Sequence, residues 1–416
     1  MRIRLEKDLP VLLFALVCAS TVAALPQVES AWMGVKEVYG QQDFGLRILR
    51  EAMLLVLIMY MFLEPRLRRG VFAGSILAFL AVITSYVLLE VAYALYLDLP
   101  LVVPMAGMRV FEYLPVALIG FAVSRLGAGD YVLIRFAHYL RYFMVLQLVL
   151  AIAQALWAPP LFGVSFLGGG RPFGTFVSPN LFGATMATCA LVFAVVPGMR
   201  NWLAVSVFLA LLSGSRTAFI SSLLVVFFQM YAALRPRDRW ALIMPAPMLA
   251  VAALLLASSP MLSGRDDADP TQDGRIDLWQ RVFADYVHDP IDLLFGWGLG
   301  LSSNTINVLF GAEHFQGQFD SDSLYLFLLN GYGLLGLLAY LLFMWMSTRM
   351  SVHAHKGLVM MFIFVAGLTF NMWEYFPQNA LLMFLWGLVI GANRKPAVAS
   401  PIPHTLAAPL YRQRWS

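Results

Sequence analysis

Three stretches place an arginine where the chain is otherwise apolar, small or loop-like: "GGGRPFGTFVSPN" around Arg171, "SGSRTAF" around Arg216 and "DGRIDLW" around Arg275. The guanidinium's planar fork of donors suits phosphate oxygens. Arg171 follows three glycines, which allow close backbone approach to a ligand, and precedes Pro172, which stiffens the turn. Ser178-Pro179-Asn180 then opens a helix, with Asn180 as a candidate cap, and a helix N-terminus favours anions. The competing account is an ordinary Gly/Pro turn. Arg216 stands between two apolar runs, flanked by the hydroxyls of Ser213 and Ser215. It is either a snorkelling interfacial arginine or a functional group, the default for an ionisable side chain at a membrane. Arg275 has Asp273 and Asp277 beside it, so local pairing is its alternative.

Moving a group onto a hydroxyl also requires a base. The candidates are His314, Asp320, Asp322 and Glu374. Asp320 and Asp322 stand in "QFDSDSLYLFLLNGYGLLG", two residues apart, a spacing that also fits a metal site or an N-cap with a neighbour. No HExxH, P-loop or GxSxG occurs.

The elements that carry these residues are set by composition. The 416 residues are 60% hydrophobic and 12% charged, with a mean hydropathy of +0.75. Soluble domains carry about twice that charge. Apolar runs mark a polytopic membrane protein with spans at 9–26, 46–63, 71–97, 109–124, 131–157, 180–197, 202–213, 217–234, 240–258, 322–346, 357–370 and 378–393. The fold class is all-α transmembrane, with about twelve spans over 1–396 and a cytoplasmic tail over 397–416. The net charge of +4 does not point to nucleic acid, because membrane proteins accumulate Lys and Arg on the cytoplasmic side. Cys18 and Cys189 lie inside apolar runs, so neither a disulfide nor a thiolate metal site is expected.

With twelve spans and the N-terminus inside, about two thirds of the 28 Lys and Arg residues fall on the cytoplasmic side. Reading 202–234 as one span would move "RPRDR" at 235–239 outside, so the "SGSR" stretch is a turn at the outer surface. The longest outer connection, 259–321, lies between spans 9 and 10. It starts polar and then shows helical spacing of Ile276, Trp279 and Phe283, which predicts an amphipathic helix over 276–288 ended by Asp289-Pro290. Lys36, Arg47 and Arg50 read as solvated, Arg265 as part of a solvated charge run, and Arg109 with Glu112 as a local i,i+3 ion pair. Arg171, Arg216 and Arg275 then share one face and can converge on one anion, and a lipid diphosphate presents its head at that depth.

These pieces, in this order, resemble the O-antigen ligase and O-antigen polymerase (Wzy-type) superfamily of integral membrane glycosyltransferases. The matching segments are "GRPFGTFVSPNLFGATM", "LLSGSRTAFISSLL", "GRIDLWQRVFADYVHDPIDLLFGWGLG" and "DSLYLFLLNGYGLLGLL", over about 165–340. The resemblance implies a GT-C-type bundle in the bacterial inner membrane with both termini cytoplasmic. It implies metal-independent, cofactor-free, inverting transfer at the periplasmic face from a glycan on undecaprenyl diphosphate, with the lipid bilayer, a chain-length regulator and a flippase as partners and no nucleic acid. Arg171, Arg216 and Arg275 would hold the diphosphate and stabilise the leaving charge. Asn180, Trp279, Asp320 and His314 are further substrate-binding candidates. The ligases carry His-Asn, nine residues, then Gly-x-x-Gly. Gly333 and Gly336 fit that frame, but Asp322-Ser323 stands where His-Asn would, and His314 is eight residues too early. An aspartate as base at position 322 favours a polymerase of surface or secreted polysaccharide. The alternatives are a ligase acting on lipid A core or protein, and a non-catalytic transporter of lipid-linked sugars.

Overall fold

The structure, a computed structural model, describes residues 5–32, 44–72, 75–96, 102–159, 167–176, 178–234, 290–298, 323–373 and 376–392, with a few isolated positions between them. Helices account for nearly all of these: α1 (Leu5–Trp32), α2 (Phe44–Leu63), α3 (Pro65–Val71), α4 (Ser75–Tyr96), α5 (Val102–Gly107), α6 (Leu114–Arg125), α7 (Gly129–Trp157), α8 (Pro179–Val195), α9 (Arg200–Leu212), α10 (Arg216–Ala233), α11 (Pro290–Phe295), α12 (Leu324–Met350), α13 (Lys356–Thr369) and α14 (Gln378–Gly391). Among the described residues there is no strand, only an isolated bridge between Val164 and Gly170. Three of these helices, α7, α10 and α12, are long and apolar enough to cross a membrane, and α6, α8, α9, α13 and α14 are shorter apolar helices. The expected span 240–258, the tail 397–416 and all of 276–288 except Gln280 and Ala284, both helical, lie outside the described residues.

The break expected at "SGSR" is present: α9 ends at Leu212, Gly214 takes φ +66°, and α10 begins at Arg216. The fourth span is shorter than expected. Residues 108–111 form a 3-10 turn, and helix α6 starts only at Leu114, with Pro115 in its first turn. Pro290 opens the short helix α11, because a proline at the first helical position loses no hydrogen bond.

Inter-helix contacts fix which ends of the helices lie together. Helices α6 and α14 run parallel in close apposition: a Cβ on Gly387 would strike Ala117, and one on Gly391 would strike Phe121. In lipid, such small-residue contacts let backbones approach where no hydrophobic drive joins helices. Helix α7 runs antiparallel to both, with Gly129 beside Ser124 and Leu388, and Phe136 edge-on to Phe384 at 6.2 Å. The C-terminus of α7 therefore shares an end with Tyr113 and Phe376, whose rings stack at 4.9 Å. The opposite end collects Arg66, Arg68 and Arg69 of α3, Arg125, Arg200, Arg349 and Lys356. There the Val352 N–H donates to the Ala392 carbonyl at 2.8 Å.

Helix α12 is broken. Gly333 has φ 64° and ψ −172°, a conformation open to glycine alone, and its backbone lies against the Leu294 carbonyl of α11. The break deprives the Asn330 carbonyl of a helical donor, and Trp297 N–H fills that role at 2.7 Å.

Candidate functional site

The site is built where the loop after α7 returns to the bundle. Gln147 and Gln154 of α7 stand two turns apart on one face, and both are fully buried. Gln154 Oε1 accepts from the N–H groups of Phe173 (2.9 Å) and Gly174 (2.7 Å), and its Nε2 donates to the Gly174 carbonyl at 2.9 Å. Gln147 Oε1 accepts from Thr175 N–H at 3.1 Å, and its Nε2 donates to Thr175 Oγ1 at 2.7 Å. Two side chains thus satisfy a non-helical backbone that would otherwise be unpaired in an apolar setting, where each orphan group costs about 1–3 kcal/mol. Gly174 has φ +55°, and a Cβ there would collide with Gln147.

Two of the three glycines before Arg171 approach backbone. Gly169 and Gly170 lie against the C-terminal turn of α7, not against ligand space. Their N–H groups donate to the Ala155 and Ala158 carbonyls, each at 2.8 Å, satisfying acceptors left over at the helix end.

Arg171 is only 6% exposed. Its Nε donates to the Ser213 carbonyl at 3.1 Å, and its Nη2 to Asn180 Oδ1 at 3.5 Å. Asn180 therefore does not cap α8. Ser178 is the cap, its Oγ accepting from Leu181 N–H at 3.3 Å, which leaves the Asn180 amide free to turn to the arginine. Ser213 ends α9 and orders the turn: its Oγ donates to Ala210 O (2.7 Å) and accepts from Ser215 N–H (3.1 Å). Arg216, half-buried, is the first residue of α10. A Cβ on Gly183 of α8 would press on Ser213, Ser215 and Ala218, so α8 runs flush against the turn. At the other end, Gln229 of α10 donates to the Ala194 carbonyl of α8, which makes the two helices parallel. Two helix N-termini thus begin side by side, with Arg171 between them and Arg216 on one of them. The dipoles of the two helices favour negative charge beside that turn.

This turn lies in a stretch of sequence shared with a known family. Residues 202–341 match the family model for O-antigen ligase. The match covers about a third of the chain and bears out, over that segment, the resemblance to the O-antigen ligase and polymerase superfamily of membrane glycosyltransferases. It takes in Arg216, all of α10 and the broken start of α12, while Arg171, Asn180 and the glutamine clamp precede it. No curated protein matches the chain.

Within the matched segment, Arg275, Trp279, His314, Asp320 and Asp322 lie outside the described residues, as does Glu374 beyond it. The N-cap position of α12 belongs to Ser323, whose Oγ donates to the Gly367 carbonyl at 3.3 Å.

One charge at the Tyr113–Phe376 end differs from expectation. Arg50 is not solvated: it pairs with Glu51, stands 3.5 Å from Glu112 and lies 5.5 Å over the Phe376 ring. Glu112, just after the 3-10 turn at 108–111, thus faces Arg50 of α2 at 3.5 Å. Sequence reading also passed over Gln147 and Gln154. The available signal was two amides seven residues apart inside a long apolar helix, which is how polar side chains inside a membrane announce a partner.

Proposed function

We propose that the chain is a polymerase of bacterial surface or secreted polysaccharide, joining polyprenyl-diphosphate-linked repeat units at the periplasmic face of the inner membrane. The observation that carries this reading is the Arg171–Ser213 bond, which brings Arg171 to the turn that starts α10 at Arg216. A diphosphate is the group that two arginines and two helix N-termini suit best. The segregation of Arg and Lys to the opposite end agrees with that end being cytoplasmic. The full architecture in this reading is a GT-C-like bundle of about twelve spans with both termini cytoplasmic and the 259–321 loop outside.

In the reaction, the acceptor hydroxyl oxygen attacks the anomeric carbon as the bond to the diphosphate oxygen breaks, inverting the centre. Asp322 takes the hydroxyl proton. Arg171, Arg216 and Arg275 stabilise the charge on the departing diphosphate, and Asn180, Trp279, Asp320 and His314 contact substrate. The description of the matched family favours a second reading, a ligase that moves a finished glycan to another acceptor. The aspartate at the place of the ligase histidine weighs against it.

Protein reconstituted with a lipid-linked oligosaccharide, with chelator present, tests the proposal. A ladder of elongated lipid-linked product is expected, and it disappears in Asp322→Asn. Transfer to lipid A core without elongation would establish the ligase. Substrate crossing the bilayer with no new bond would identify a transporter.

A further inference from the structure

The Arg171 backbone is pinned on both sides by α7. One residue before it, Gly170 N–H donates to the Ala158 carbonyl at 2.8 Å. Two residues after it, Phe173 N–H donates to Gln154 at 2.9 Å. The residue between is Pro172, whose φ is fixed by its ring. Little backbone freedom remains between these anchors, so the start of the Arg171 side chain is set by α7. Gln147 extends the same hold to Thr175.

We propose that Gln147 and Gln154 are positioning residues that fix the Arg171 guanidinium against the Ser213 turn for the transfer reaction. This rests on the role given to Arg171 above. A buried amide is suited to the task because it offers a donor and an acceptor to the backbone and carries no charge to compete for the guanidinium or repel an anion. Gln154 meets both backbone N–H groups and a backbone carbonyl, so it is the stronger anchor. The clamp touches no reacting atom and acts only through where Arg171 stands.

The test uses the full chain in lipid nanodiscs, reading transfer from a polyprenyl-diphosphate-linked oligosaccharide and amide hydrogen exchange at residues 173–175. Gln154→Met keeps the side-chain length and removes both amide functions. Exchange at Phe173 and Gly174 should accelerate, and turnover should fall about 10- to 100-fold, as for a displacement of about 1 Å in a site. In the Arg171→Ala background the same change should alter residual turnover by less than about twofold, because the clamp has no guanidinium left to position. Gln229→Met, which removes a different amide tied to the Ala194 carbonyl, should leave turnover unchanged. Equal losses from Gln154→Met in both backgrounds, or faster exchange with full turnover, would overturn the inference.

Should Gln154→Met fail to fold, Thr175→Val asks the same question while keeping the Thr175 N–H bond. A loss of about fivefold, absent in Arg171→Ala, is expected from one missing hydrogen bond. The same loss in both backgrounds, or none, rejects the clamp. Full turnover in Arg171→Ala would sink the proposed function together with this inference. An Arg171→Ala of strongly reduced turnover, in which the clamp variants cause the same fold loss as in wild type, sinks the inference alone.

Discussion

The backbone N–H of Trp297 donates to the Asn330 carbonyl across 2.7 Å, joining the chain after α11 to the point where α12 breaks. The break and the bond depend on each other, since an unbroken helix would already have used that carbonyl. Replacing Gly333 by alanine puts a Cβ into the Leu294 carbonyl and a non-glycine residue at φ 64°. A loss of about 3 kcal/mol of stability is expected. Thermal unfolding in detergent should show it, and a wild-type transition would contradict the assignment of the kink to Gly333.

Arg171 uses Nε and Nη2 on two different acceptors, a geometry that lysine cannot copy. Arg171→Lys should therefore retain the fold and lose about 100-fold or more in transfer, as when an oxyanion-type donor is removed. Activity within threefold of wild type would show that charge alone suffices.

Arg50, Glu51 and Glu112 tie α2 to the start of α6, with Phe376 of the α14 approach beneath the guanidinium. Arg50→Met takes the cation from the mostly buried Glu112 carboxylate and should cost about 1–3 kcal/mol. Adding Glu112→Gln should restore part of that loss. Additive destabilisation in the double variant would mean that the 3.5 Å pair contributes no coupling.

A pH response is expected at the basic end. Burial holds the His353 and His355 imidazoles below their ordinary value of 6.5; for His355 the neighbouring His353 adds to that, and Asp130 partly offsets it for both. The folded state therefore binds fewer protons than the unfolded one once pH drops below about 6.5. Stability is complete above that pH and declines as pH falls through the lowered folded values. Unfolding temperature measured from pH 8 to 5 should fall in the wild type, and less steeply in His353→Gln/His355→Gln.

Most helices were legible because apolar length and turn chemistry write them directly: the predicted limits of the spans at 180–197, 202–213, 217–234 and 378–393 lie within a few residues of α8, α9, α10 and α14. The turn at 213–215 was legible through charge distribution, since merging its flanks reverses the sidedness of everything after it. What escaped was set by neighbours distant in sequence. Arg50 read as solvated, yet it meets Glu112 at 3.5 Å and the Phe376 ring at 5.5 Å, both far along the chain. Asn180 looked like a cap because Ser178 and Asn180 are equally suited chemically, and only the position of Arg171 decides between them. Gly169 and Gly170 signalled close approach but could not say to what.

The hold of α7 on the Arg171 loop has a consequence for how the protein can vary. Gln147 and Gln154 are seven residues apart, so they share a face by the arithmetic of the helix. One residue inserted between them would swing one amide about 100° from the other. Helix α7 therefore works as a ruler whose markings cannot be respaced singly. Its length between the two glutamines can change only in steps that return to the same face, while the helix beyond them remains free to grow or shrink.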